Sequence, residues 1–174
     1  MQHFEFIEGN VLEIMDRPYY FLAHGVNCIN RMGSGVARVI YEKNFEVKRE
    51  YHEYCEQFHS PREILGHCQP VNLSKTPYPQ IVFNCFSQLT IGDADHESIV
   101  KSLSMACAFV ESSADHDVEA VLHLPLIGYA LGGLGEKVFD AYEEVAVNFP
   151  NVKLVVVYRK EDVPQHIIEK YSSQ

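Results

Sequence analysis

The sequence predicts a three-layer α/β/α domain built around a mixed, largely parallel six-stranded sheet. Strand-like and helical segments alternate along the chain after the first two strands, which is typical of this class. Residues 152–158 form a continuous Val- and Leu-rich run, as expected for a strand that is buried on both faces. The chain has 174 residues, which suits one domain spanning 1–174, and no repeat or linker divides it.

Each strand is predicted from a short apolar or alternating segment. Apolar and polar residues alternate over 3–8, and Gly9-Asn10 ends this segment. We expect the first two strands to form a hairpin-like pair. The predicted strands are 3–8, 19–23, 66–72, 80–86, 119–124 and 152–158.

The helices are predicted from apolar residues that share one face. A helix is expected to begin near Ser34, and another covers 47–58 with Tyr51, Tyr54, Cys55 and Phe58 on the same side. The remaining predicted helices are 97–113, 136–149, where Phe139, Tyr142 and Ala146 point inward, and a short one after Pro164.

Composition narrows the classes of function. Asp and Glu number 24 against 14 Lys and Arg, which argues against nucleic acid as a partner, although backbone amides could still hold a small anion. The apolar runs are too short to cross a membrane, and no signal peptide is evident, so we expect a cytoplasmic, monomeric protein. The five cysteines are widely spaced, which predicts buried thiols rather than disulfides or zinc ligands.

Two glycine-rich segments, 21–37 and 121–135, are the candidate functional site. Each has an apolar run, then glycines, then the start of a predicted helix. Because ligands in such sheets bind beyond the carboxyl ends of strands, both segments should line one cleft with backbone N–H groups, which suits a pyrophosphate. The alternative is that these glycines only form tight turns.

Several common catalytic motifs do not occur. The chain has no P-loop, no G-x-S-x-G elbow and no H-x-x-x-H pair, and no arginine follows Cys85 to cradle a phosphate. We therefore expect neither a metal nor a cofactor, and any chemistry should use activated water.

The motifs resemble those of the macro domain, an ADP-ribose-binding α/β/α family. Four segments carry the resemblance, in order along nearly the whole chain: 9–12, 26–30, 32–37 and 126–133. It implies ADP-ribose or a derivative as a small-molecule ligand. The ligand-binding residues that it implies are Gly9, Asn10, Val11, Gly33, Ser34, Gly35, Val36, Ala37, Ile127, Gly128, Tyr129, Ala130, Leu131, Gly132, Gly133 and Tyr158.

The chain is most similar to the subgroup that includes ADP-ribose 1″-phosphate phosphatases and terminal ADP-ribose glycohydrolases. The phosphatase resemblance implies hydrolysis of ADP-ribose 1″-phosphate by activated water. Asn27 would orient the distal ribose and Asn30 would lie at its far side. His24 would carry the proton, because an ordinary imidazole has a pKa of about 6.5.

Each of these roles has a structural alternative. His24 could bond a backbone group, Asn27 and Asn30 could cap turns, and Tyr158 could pack in the core rather than lie on adenine. Asp93, Asp95 and His96 could approach the distal phosphate, although a helix cap is favoured.

The chain also departs from the family pattern. Asn10 replaces the usual acid, and the lysine and aspartate of the glycohydrolases correspond to Ser87 or Gln88 and to Gly132. A non-catalytic ADP-ribose reader, a hydrolase that removes ADP-ribose from protein or nucleic acid, and a nucleotide-binding α/β domain of another family remain alternatives.

Overall fold

One mixed sheet organises the chain in the computed structural model, which describes residues 3–129 and 132–172. Its order is β1-β6-β5-β2-β4-β3, and every neighbouring pair is parallel except β3 and β4. The predicted fold class is therefore confirmed. The strands are β1 (Glu5–Glu8), β2 (Tyr20–Asn27), β3 (Cys68–Asn72), β4 (Gln80–Gln88), β5 (Val121–Leu124) and β6 (Lys153–Tyr158).

Helices cover both faces of this sheet. Helices α1 to α3 pack on one face, around Ile14, Ile40 and Val47, and α4 to α6 pack on the other, around Leu103 and Val145. We call these the α1–α3 face and the α4–α6 face. The helices are α1 (Val11–Met15), α2 (Gly35–Lys43), α3 (Glu46–Cys55), α4 (His96–Ser113), α5 (Val138–Asn148) and α6 (Gln165–Ser172), with 3₁₀ turns at Pro61–Glu63 and Gly135–Lys137.

Strand β2 contributes side chains to the cores on both faces of the sheet. Phe21 and Ala23 lie in the core of the α4–α6 face, whereas Leu22 and Val26 lie in the core of the α1–α3 face. Because side chains alternate along a strand, neighbouring residues point to opposite faces. The near-continuous apolar pattern thus indicates a central strand buried on both sides.

The beginning of the chain differs from the prediction. Strands β1 and β2 do not form a hairpin, because β6 and β5 lie between them in the sheet. Helix α1, which was not predicted, connects them. The Asn10 Oδ1 accepts the Leu12 N–H at 2.9 Å, so Gly9-Asn10 caps a helix rather than turning the chain back.

Strand β3 forms one edge of the sheet, antiparallel to β4. Pro70 lies opposite Phe83 in this pair and is exposed. Leu73 donates its N–H to the Gln80 carbonyl at 2.8 Å, and the alternating pattern of such a ladder puts Pro70 at a position that does not bond β4 through its nitrogen. The Pro70 nitrogen, which carries no hydrogen, therefore faces outward from the sheet, away from β4.

All five cysteines lie among the described residues. All five are free; four of them are buried, whereas Cys68 is half-buried. No helix within 3–129 or 132–172 has the length and apolar character needed to cross a membrane.

The first testable prediction concerns the cap of α4. The Asp95 carboxylate accepts the Ser98 N–H at 2.8 Å and the Ser98 hydroxyl at 2.9 Å. Replacing a capping Asp by Ala typically costs about 1 kcal/mol. We expect Asp95→Ala to lower the free energy of unfolding by about that amount in urea titrations, and Asp95→Asn, which keeps an acceptor, to cost less. Equal losses in the two variants would contradict this role.

Candidate functional site

A cavity of about 440 Å³ opens at the carboxyl end of the parallel strands. The ends of β2, β4 and β6 and the loops after β1 and β5 all contribute to its wall. The structure brings residues of both glycine-rich segments together there. The predicted residues that line it are Gly9, Asn10, Val11, Asn27, Gly33, Ser34, Gly35, Val36, Ala37, Ile127, Gly128, Tyr129 and Gly132.

The first loop is organised around Asn27, the last residue of β2. Its Oδ1 accepts the Ile29 N–H at 3.1 Å, and its Nδ2 donates to the Arg31 carbonyl at 2.8 Å. The Asn27 side chain also lies at the cavity wall. Asn27 therefore shapes the loop at the place where a ligand would contact it.

Helix α2 begins at the cavity wall. Ser34 is its N-cap residue, but the Ser34 side chain makes no capping hydrogen bond. The first N–H groups of a helix have no partner within the helix, and the positive end of the helix dipole lies with them. Since Gly35, Val36 and Ala37 line the cavity, this helix end provides a site for an anion.

The second loop folds tightly on itself. A Cβ on Gly132 would lie 2.4 Å from the Gly128 Cα and 2.7 Å from the Ala94 Cβ, and Gly128 has a φ of +73°. The Gly132 carbonyl also accepts the Ala94 N–H at 3.1 Å, which ties the loop to the start of α4. Glycine is required here for close approach. The predicted residues Ala130 and Leu131 lie outside the described residues.

No role was predicted from the sequence for the charged side chains at the cavity, although Arg31 lies within the first glycine-rich segment. Arg31 is exposed in the first loop, and Arg159 follows β6. The Arg159 guanidinium makes two hydrogen bonds to the Asp162 carboxylate, at 2.8 and 3.0 Å. The feature of the sequence that could have indicated these two arginines is that each follows the end of a predicted strand. The other lining residues for which no individual role was predicted are Gly25, Val26, Met32, Val39, Ser87, Gln88, Ile91, Pro125, Leu126 and Val157.

The catalytic role predicted for His24 is corrected by its position. Strand β2 continues to Asn27 instead of ending at Ala23, so His24 lies inside the sheet, is fully buried and does not line the cavity. Its Nε2 donates to the Asn84 Oδ1 at 2.5 Å, and the Asn84 Nδ2 donates to the Gln69 Oε1 at 3.0 Å. Burial lowers the pKa of His24 to about 4. It is a structural histidine.

Three further predicted residues also lie away from the cavity wall. The Asn30 Oδ1 accepts a hydrogen bond from His52 Nδ1 of α3, and this loop residue has a φ of 61°. The Tyr158 ring packs edge-on against Phe6 at 6.0 Å, because alternation in β6 sends Val157 toward the cavity and Tyr158 to the other face. Gly133, in the second loop, is exposed and does not line the cavity.

The acidic residues before α4 act in local structure, as favoured from the sequence. Asp93 accepts the Thr90 N–H at 2.9 Å, Asp95 caps α4, and His96 bonds Glu144 at 3.1 Å. None of these three side chains lines the cavity. Within 3–129 and 132–172, no group of three or more His, Cys, Asp or Glu residues is arranged to hold a metal ion.

Comparisons with known proteins identify the fold. No protein-family model matches the sequence, and no curated protein is significantly similar to it. Among solved structures, the macrodomain of Mycobacterium tuberculosis DarG is 19% identical with a TM-score of 0.70, covering 88% of this chain and 96% of that one. The macrodomain of Thermus aquaticus DarG is 21% identical with a TM-score of 0.68, covering 90% and 97%.

A third solved structure has a ligand. Thermosipho africanus DarTG, in complex with ADP-ribose, is 13% identical with a TM-score of 0.69, covering 98% of this chain and 46% of that one. At sequence identities this low, the structural similarity to these three proteins establishes the fold alone. The chain therefore has the macrodomain fold.

The second prediction concerns how the free energy of unfolding depends on pH. Burial lowers the pKa of His24 to about 4, from about 6.5 when it is exposed, so between these values the unfolded chain binds more protons. The contribution of His24 to stability should therefore be constant above about pH 6.5 and fall as the pH drops toward about 4. His24→Gln, which does not titrate, should lose less stability than the wild type between about pH 7 and about pH 5 in urea titrations.

His123 contributes to the same loss, because burial lowers its pKa to about 4 as well. The control is His116→Gln, at an exposed histidine. If His24→Gln loses as much stability as the wild type when the pH falls from about 7 to about 5, a neutral, buried His24 is contradicted.

Proposed function

We propose that this chain binds ADP-ribose, with the pyrophosphate held between the two glycine loops. The observation that carries the proposal is the convergence of α2's uncapped N-terminus and the close-packed second loop on one cavity. Backbone N–H groups at a helix start attract phosphate without any basic side chain. This explains how a chain with a net charge of −10 could bind an anionic ligand.

Three further observations support this ligand. The cavity, of about 440 Å³, is large enough for a dinucleotide-like molecule to be partly enclosed. Arg31 and Arg159 add positive charge at its wall, although Asp162 partly offsets Arg159. The T. africanus structure with ADP-ribose has the same fold, which supports the choice of ligand.

The third prediction tests binding at Gly33, which lines the cavity. A Cβ at this position would meet no atom within 4 Å, so a side chain there should not disturb folding. We expect calorimetry to show tighter binding of ADP-ribose than of ADP by the wild type. Gly33→Glu should weaken ADP-ribose binding about tenfold, because it places a negative charge beside the pyrophosphate.

The matched control is Gly33→Gln, which has the same shape without the charge. The difference between the two variants should shrink as salt is raised, since ions screen exposed charges. Absence of ADP-ribose binding by the wild type would reject the proposed function, and equal affinities for ADP-ribose and ADP would favour a general nucleotide-binding domain.

Hydrolysis of ADP-ribose 1″-phosphate is the second candidate function. Arg31, exposed at the cavity, favours it because a guanidinium could hold the additional phosphate. Water would attack phosphorus, the bond to the ribose oxygen would break, and that oxygen would take a proton. With His24 buried elsewhere, the Asn27 amide would orient the reacting groups and the proton would pass through the substrate's own phosphate.

The fourth prediction separates these two functions. If the protein is a phosphatase, inorganic phosphate should be released from ADP-ribose 1″-phosphate at catalytic turnover in the presence of a chelator. Asn27→Ala should then reduce the rate by at least about tenfold, whereas His24→Gln should retain it. Binding without phosphate release would leave a non-catalytic reader, or a hydrolase that acts on ADP-ribosylated macromolecules.

A further inference from the structure

The two cavity loops are each held from behind by the hydroxyl of one buried tyrosine. Tyr51 comes from α3 on one face of the sheet, and Tyr142 comes from α5 on the opposite face. Both side chains are fully buried, and neither lines the cavity. They can therefore act on a ligand only through the loops.

Tyr51 joins both ends of the first loop. Its hydroxyl donates to the Asn27 Oδ1 at 2.8 Å and lies 3.0 Å from the Asn27 carbonyl oxygen. The same hydroxyl accepts the Arg31 N–H at 3.0 Å. One oxygen atom thus fixes the residue that ends β2 and the residue that leads into the glycines before α2.

Tyr142 has the corresponding role in the second loop. Its hydroxyl donates to the Pro125 carbonyl at 2.5 Å and accepts the Ile127 N–H at 2.7 Å. Ile127 lies directly before Gly128, where the tight part of the loop begins. The tyrosine therefore fixes the chain as it leaves β5 and enters the cavity wall.

The chemistry of the phenol suits both positions. A neutral hydroxyl donates one hydrogen bond and accepts others, so one group can serve a carbonyl and an N–H together. Burial raises the pKa of Tyr51 and of Tyr142, which keeps both groups protonated. A phenylalanine at either position would fill the same space and leave the loop groups without this partner.

We propose that Tyr51 and Tyr142 are positioning residues whose hydroxyls hold the two loops in their ligand-binding conformation before the ligand arrives. The inference rests on the proposed function, since it concerns the same cavity. A loop that is ordered in advance loses less conformational freedom on binding, so the ligand binds more tightly. Without the hydroxyls, the ligand itself must order the loops.

The fifth prediction compares three Tyr-to-Phe variants. Tyr51→Phe and Tyr142→Phe should each weaken ADP-ribose binding by about tenfold in calorimetry. Tyr54→Phe is the matched control. Tyr54 lies on α3, its ring also stacks on Phe86, at 5.4 Å compared with 5.8 Å for Tyr51, and its hydroxyl bonds His67 instead of a loop. Its affinity should change by less than about twofold.

Hydrogen exchange distinguishes positioning from a general loss of stability. In the ligand-free wild type, the Arg31 and Ile127 amides should be protected. Tyr51→Phe should speed exchange at Arg31 alone and Tyr142→Phe at Ile127 alone, and saturating ADP-ribose should restore protection in both. Loss of protection throughout the chain, or an affinity loss in Tyr54→Phe as large as in the other two, would overturn the inference.

The outcomes also separate this inference from the proposed function. If the wild type binds ADP-ribose and the Tyr51→Phe and Tyr142→Phe variants bind it equally well, the positioning role is rejected and the proposed function stands. If the wild type does not bind ADP-ribose, the proposed function is rejected, and the inference that rests on it is rejected too.

Discussion

The parallel pairing of β6, β5, β2 and β4 is the constraint on which the cavity depends. Parallel neighbours end at the same edge of the sheet, so the segments that follow them meet there. Residues far apart in the sequence, such as Asn27, Gly128 and Arg159, consequently line one cavity. The two helical layers then supply buried groups that hold these segments in place.

The fold class could be predicted because its signals are local and repeated. The Val- and Leu-rich segment of β6 and the long apolar face of α4 each indicate their own structure. Pairing of strands is a long-range property, which explains why the neighbour of β1 was predicted incorrectly. The capping amide of Asn10 was the signal for α1, but the same Gly-Asn pair is also common in turns.

The candidate site was predictable where backbone conformation defines it. Glycines at 128 and 132 are visible in the sequence because other residues would clash there. His24 was assigned a catalytic role because β2 was predicted to end at Ala23, and four more residues of strand place its imidazole in the core. Tyr142 was predicted to point inward and Tyr51 to lie on the apolar face of its helix, and both are buried. Their hydroxyl contacts depend on tertiary structure that no helical pattern encodes.

The edge strand β3 has a consequence for how the protein behaves in a crowded solution. An open edge of a sheet can pair with a strand of another molecule, and such pairing begins aggregation. Pro70 interrupts the row of donors that an incoming strand would need, and it lies near the middle of the five-residue strand. The protein therefore has a built-in barrier against sheet extension at this edge.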